Sequence, residues 1–284
     1  MLLALGAAVL FGVSSVWMHS KAHLAPAERS LRPGLLADLA REPVWLAGAG
    51  AQVAGFALQA TALGIGSLAL VQALGPTSLL VALPLAARSP GKQMRRSDWV
   101  GAAATAGGLA VSLALASPGK GRSSPTPEAW SVVFAATLVT AGALVATATR
   151  RVGPARALAL GTAGGGILAL TAALTKVTAI RFSDGLGSGL ASWETYALVV
   201  LGLTGILLVQ SSFQAGSIEW SLPALTVANP VVSVIVGVTA FHEAISVSGP
   251  VIVVLALSMA VTVTGVIFLA RSPAITAIHD QPAP

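Results

Sequence analysis

The feature that most limits what this chain can become is the length of its charge-free apolar runs. No Asp, Glu, Lys or Arg appears from Pro43 to Ala87 or from Ala244 to Ala270, and Thr195 to His242 is interrupted only by Glu219. A helix needs roughly 20 apolar residues to cross the hydrocarbon core of a bilayer, and each of these runs offers at least that many. Composition agrees: 55% of the 284 residues are hydrophobic and 9% charged, where a soluble domain carries about a quarter charged residues. Too little polar surface is present to cover a globule of this size in water. A soluble enzyme, a nucleic-acid-binding module and a disordered protein are excluded. With no cysteine there is no disulfide, thiolate metal site or redox couple. The expectation is an all-α polytopic membrane protein surrounded by the lipid bilayer.

Nine spans can be placed. They are residues 1–18, two within 43–87 that turn at Gly64-Ile65-Gly66-Ser67, Trp99–Gly119, Ala129–Thr149, Ala157–Thr175, two within 195–242 that meet at Glu219, and Ala244–Ala270. Polar joints separate them: a linker over 20–43, whose Leu31–Arg41 piece reads as a short amphipathic interfacial helix, a second linker over 117–127, and a disordered tail over 271–284. The formal charge of +6 belongs to these joints and implies no nucleic-acid partner. Alternating the loops puts Lys21, Arg29, Arg32, Arg41, Arg88, Lys92, Arg95, Arg96, Arg150, Arg151, Arg156 and Arg271 on one side. Lys120, Arg122, Lys176 and Arg181 fall on the other. By the positive-inside rule the N-terminus lies outside the cytoplasmic membrane and the C-terminus inside. The first run has no positive region ahead of it and reads as a retained span, not a signal peptide.

An internal repeat runs through the chain. Ser67-Leu68-Ala69-Leu70-Val71-Gln72-Ala73-Leu74-Gly75-Pro76 lies over Ser221-Leu222-Pro223-Ala224-Leu225-Thr226-Val227-Ala228-Asn229-Pro230 at an offset of 154 residues. Nine spans give the two segments opposite orientations, as in the inverted repeats of many secondary transporters. The expected units are 1–116, with four helices, and 128–270, with five. Pro76 and Pro230 each remove an amide and free a carbonyl four residues back, at Gln72 and Thr226, so a broken helix is expected in both. Broken helices at membrane depth often surround a site.

The segment Ala57-Leu58-Gln59-Ala60-Thr61-Ala62-Leu63-Gly64-Ile65-Gly66-Ser67-Leu68-Ala69-Leu70-Val71-Gln72 with Pro76, and Leu222-Pro223-Ala224-Leu225, Pro230 and Phe241-His242-Glu243, resemble the drug/metabolite transporter superfamily. The likeness is to its EamA-type members and, more narrowly, to bacterial NIPA-like relatives with nine helices. It covers residues 1–270. It implies a bundle of two inverted repeats around a central cavity with alternating access, and, through the NIPA-like relatives, Mg²⁺ as an alternative cargo. The family's acidic residue after the proline-bearing span is matched by Glu243, whereas Arg88 and Ser89 stand at the corresponding place in the first half.

Polar groups inside spans are the default site candidates. Gln52 and Gln59 lie two turns apart on one face, Gln210 and Gln214 share a face at i,i+4, and Gln72, Thr226 and Asn229 sit beside Pro76 and Pro230. Single amides often only clamp helices together; five glutamines with Asn229 point to a neutral cavity for a polar solute. Lys176, five residues from Arg181, is expected to snorkel to the outer surface. Glu219 and Glu243 read as solvated loop ends, or as metal ligands if the cargo is Mg²⁺. No carboxylate is expected deep in a span. Gly161-x3-Gly165 points to a close helix contact within the chain, with a homodimer left open. No Walker A lysine, HExxH pair or Gly-x-Ser-x-Gly elbow is present, so no enzyme activity and no cofactor are expected. The sequence therefore reads as a secondary transporter exporting a small polar metabolite, with an Mg²⁺ permease second and a membrane scaffold third.

Overall fold

The computed structural model describes residues 1–22, 31, 33–86, 96–116, 121–215, 218–243 and 249–270, and every regular element among them is helical. In chain order the helices are α1 (Leu2–Ala22), α2 (Pro33–Leu39), α3 (Pro43–Ile65), α4 (Leu68–Ala73), α5 (Ser78–Ala86), α6 (Arg96–Ala116), α7 (Pro127–Thr149), α8 (Gly153–Ser183), α9 (Leu186–Ala191), α10 (Trp193–Ala215), α11 (Ile218–Thr239) and α12 (Gly249–Ala270). Six of the described helices are long and apolar enough to cross a membrane: α1, α3, α7, α8, α10 and the Val251–Phe268 part of α12. The chain is an all-α, polytopic integral membrane protein. The tail 271–284, most of the cationic stretch before α6, Arg29, Arg32, Lys120, and the side chains of His19 and Glu219 lie outside the described residues.

The 31-residue α8 is the axis of the bundle, with 78% of its most apolar stretch buried. Glycine makes this possible. A Cβ at Gly161 would stand 2.9 Å from the Ser221 carbonyl oxygen, and one at Gly165 would stand 2.8 Å from the Ala228 Cβ, both on α11. On another side, a Cβ at Gly164 would stand 3.0 Å from a Val209 methyl of α10. With no hydrophobic effect between helices in lipid, close backbone approach through small residues is what joins them. The Gly161-x3-Gly165 pattern thus serves contacts inside this chain.

Around α8 the helices pair: α1 lies along α3, α6 along α12, and α7 along α8. The α6–α12 seam repeats the same device. A Cβ at Gly108 would stand 2.5 Å from Thr262 Oγ1, and one at Gly265 would stand 2.6 Å from the Thr105 amide nitrogen; Ser112 and Ser258 share a hydrogen bond of 2.8 Å across it. Outward faces carry large apolar side chains such as Val139, Val200, Leu203, Val253 and Leu257, all more than half exposed, the surface a lipid environment requires.

Two expectations change, the placing of the helix over 33–39 and the break at Pro230. The helix over 33–39 is tucked in, not laid on an interface: Leu35 and Leu39 are buried against Met18, Ala22, Trp45 and Phe213. Pro76 does break its span: a tight 3₁₀ turn (Gly75–Thr77) stands between α4 and α5. Pro230 does not; α11 runs unbroken from Ile218 to Thr239. The backbone of α11 is pinned there by the close approach of Gly165 to Leu225 and Asn229, and one missing amide does not unwind it.

Candidate functional site

Where α1, α3, α4, α8 and α11 converge, they leave a cavity of about 170 Å³. From α1 come Ala4, Ala8, Phe11 and Ser15, spaced to share one helix face, and the alanines keep that wall thin. α3 contributes Gln52 and Gln59 on one face, as their seven-residue spacing requires, with Phe56 between them. Gln72 enters from α4, Thr171 from α8, and Thr226, Asn229 and Pro230 from α11. Gln59 Nε2 donates to Gln72 Oε1 at 3.1 Å, and Ser233 Oγ donates to Asn229 Oδ1 at 3.3 Å.

Gln72 is 2% exposed, and its Nε2 finds no hydrogen-bond partner. A buried amide left unpaired costs roughly 1–3 kcal/mol, and this nitrogen, sealed as the helices stand, is an unmet donor in the wall of the cavity. Gln52, Gln59, Gln72, Thr226, Asn229 and Pro230 are therefore brought together. The side chain of Pro76, in the 3₁₀ turn, lies outside the described residues. Gln210 and Gln214 are not brought in: they lie on α10 beside Ser211, whose hydroxyl accepts from the Leu31 amide at 3.0 Å, next to the docked α2. Gln210 is buried there, and Gln214 half-buried.

One end of the bundle holds a group that sequence reasoning placed wrongly. Lys176, on α8, is 4% exposed and does not reach the surface; its Nζ lies 2.6 Å from Glu243 Oε1. Glu243 is 2% exposed. It is not a solvated loop end. Its Oε1 also accepts from the Leu68 amide at 2.6 Å and its Oε2 from the Ala69 amide at 2.9 Å, so one carboxylate holds both α8 and the first turn of α4. The Lys176 ammonium also sits 4.6 Å from the centroid of Phe241, a cation–π distance. Among the described residues three carboxylates are buried, Asp98 and Glu194 in the first turns of α6 and α10 and Glu243 just beyond α11.

The local backbone explains why Glu243 points inward. α11 ends in a reversal at His242, a non-glycine residue in the left-handed region (φ +52°). The Glu243 amide then donates back to Gly237 O at 2.9 Å, closing a loop one residue wider than the 6→1 bond of a Schellman helix stop. Glycine at 237 leaves room, since a Cβ would stand 2.6 Å from Glu243 Oε2. Gly121 lies so close to the Phe241 carbonyl and Glu243 that no side chain fits, and the Arg122 amide donates to Phe241 O at 2.6 Å. On the other partner, Ser67 caps α4 by accepting from the Leu70 amide at 3.2 Å. The signal available in the sequence was two lone opposite charges, Lys176 and Glu243, each flanking long apolar runs. What it lacked was any indication that residues 67 positions apart meet.

As potential metal ligands, Glu219 and Glu243 fare differently. The side chain of Glu219 is outside the described residues, and both oxygens of Glu243 are taken by an ammonium and two amides. Among the described residues no group of three or more His, Asp or Glu side chains is placed to hold an ion.

No family model and no solved structure matches the chain. It is similar to an uncharacterized protein of Corynebacterium glutamicum, 29% identical over 272 residues, 95% of this chain and 94% of that one. The similarity runs nearly end to end, so the two chains share an organisation and not only one segment.

Proposed function

We propose that the protein is a secondary transporter of drug/metabolite-transporter type that moves a small polar solute by alternating access. The observation that carries this reading is the amide-lined cavity lying beside a helix break and a buried ion pair. Cavities with convergent hydrogen-bonding groups at broken helices are where such proteins hold cargo. The cavity is below the roughly 300–1,000 Å³ typical of drug-sized ligands, which favours a compact neutral or zwitterionic metabolite. Glu243 and Lys176 close the end that the charge bias puts outside; releasing α4 from Glu243 would open it.

Helix pairing supports a nine-span inverted repeat with a boundary different from the sequence reading. α8 packs on α10 and α11 as α1 packs on α3 and α5, and α6 meets α12. The 154-residue offset carries Arg96–Ala116 onto 250–270, which is α12 to within a residue. The matching units are then α1, α3, α4–α5, α6 and α8, α10, α11, α12, with α7 as the single crossing that inverts the second. Against the Mg²⁺ alternative stands the cation already seated on Glu243.

The test is thermal stabilisation of purified protein in detergent against amino acids, nucleosides and Mg²⁺, followed by flux into proteoliposomes for the stabilising solute. Gln72→Leu and Asn229→Leu should abolish both stabilisation and flux while inserting normally. Full flux in both variants would remove the cavity from consideration, and a shift with Mg²⁺ alone would replace the metabolite with the cation.

A further inference from the structure

A second hollow, of about 570 Å³, opens among the ends of α7, α8 and α10. Three rings form its aromatic side. Trp130 lies 5.6 Å from Trp193 and 5.6 Å from Phe134, and Phe134 lies 5.7 Å from Trp193, at interplanar angles of 83°, 71° and 54°. Glu194 and Arg181 also line it.

Glu194 is the informative residue. It is 4% exposed, yet makes no hydrogen bond or ion pair with any described residue, Arg181 included. Its carboxylate oxygens are not sealed in the interior: held in the first turn of α10, the group keeps what surface it has toward the hollow it lines. Trp130 is also buried, and its Nε1 has no acceptor. A belt of interfacial aromatics explains Trp193, which is 48% exposed, but neither the buried Trp130 nor the unpaired carboxylate.

We infer that this hollow binds a zwitterion carrying a methylated ammonium. Aromatic faces attract an ammonium electrostatically, and quaternary ammonium is the form such cages recognise. Few acceptors besides Glu194 line the hollow, which suits a cation with no N–H to satisfy. The exposed Arg181 guanidinium supplies donors for the ligand's anionic end. That chemistry belongs equally to a free betaine-type solute and to a phosphocholine headgroup. The hollow adjoins the closure described above, since Trp130 stands 6.2 Å from Phe241. Binding here is independent of whether the amide-lined cavity transports anything.

The experiment is equilibrium binding of radiolabelled glycine betaine to the intact protein in maltoside detergent free of phospholipid. Tetramethylammonium, acetate and glycerophosphocholine serve as competitors. Saturable betaine binding is expected, weakened at least tenfold in Glu194→Gln and in Trp193→Leu. Arg181→Gln should weaken betaine but leave tetramethylammonium competition unchanged, and acetate should not compete. Competition by glycerophosphocholine well below the betaine concentration would assign the same site to a lipid headgroup. Absence of binding by both zwitterions, or unchanged binding in Glu194→Gln with the variant folded by its melting midpoint, overturns the inference. Trp193→Leu, at a half-exposed position, keeps the test open if Glu194→Gln misfolds.

Discussion

Removing Glu243 should cost far more than removing Lys176, although the two form one ion pair. In Glu243→Ala the Lys176 ammonium, its side chain 5% exposed, loses its counter-charge; stranding one member of a buried pair costs about 3–5 kcal/mol. The Leu68 and Ala69 amides lose their acceptor as well, at about 1–3 kcal/mol each unless water reaches them. The sum exceeds about 5 kcal/mol, a large part of a typical domain's stability. In Lys176→Met the carboxylate keeps both backbone donors, and the loss should be about half as large. The double variant Lys176→Met/Glu243→Gln removes both charges and retains one carbonyl acceptor for α4. It should sit about 1–2 kcal/mol below the parent, better than Glu243→Ala. The assay is reversible unfolding in mixed micelles by titration with dodecyl sulfate, followed by far-ultraviolet circular dichroism. The reasoning fails if Lys176→Met costs as much as Glu243→Ala. It fails equally if both singles stay within about 1 kcal/mol of the parent, as exposed pairs do.

Further outcomes follow from the same geometry. His242→Gly should stabilise by about 0.5–1 kcal/mol in the same titration, because the exposed His242 occupies a left-handed conformation that only glycine adopts without penalty. Gly237→Ala should lower stability despite being conservative, since its Cβ would stand 2.6 Å from Glu243 Oε2 and displace the carboxylate from Ala69; loss of the effect when Glu243 is already Ala would tie it to that contact. Gly108→Leu or Gly265→Leu should separate α6 from α12 and abolish recovery of monodisperse protein by gel filtration. Ser258→Ala, which loses the hydrogen bond to Ser112 along with the one to its own helix at the Leu255 carbonyl, should cost about 0.6–1.7 kcal/mol.

The spans were legible because charge is so costly in hydrocarbon that its absence outlines each one. α3, α6, α7, α10 and α12 fall within a few residues of where the charge-free runs put them. Gln52 and Gln59 were legible as neighbours because helical spacing is a local property, and Gln72 as a site candidate because it stands beside the break at Pro76. Three things were not. Whether a proline kinks its helix depends on what holds the neighbouring turns, and at Pro230 that is Gly165 on another helix. Whether a lysine near a span end snorkels depends on a carboxylate arriving from elsewhere, and Glu243 arrives by a backbone reversal at a histidine, where glycine would have been the readable signal. The Gln210–Gln214 pair, finally, has the right periodicity for a cavity wall but lies beside Val209 and Phe213, which pack in one cluster with the docked α2, whose residues carried the signature of a surface helix.

The grip of Glu243 on α4 is made entirely through main-chain amides. As far as this contact is concerned, any residue except proline at positions 68 and 69 can serve, because only proline lacks the amide hydrogen. The information for the closure is therefore stored on one side. A saturation-mutagenesis library read out by survival of function would record intolerance at 243 and 176 and, beyond packing preferences, a bar at 68 and 69 against a single amino acid. A method that infers proximity from paired substitutions would find no partner for Glu243 on α4, although the two are in direct contact.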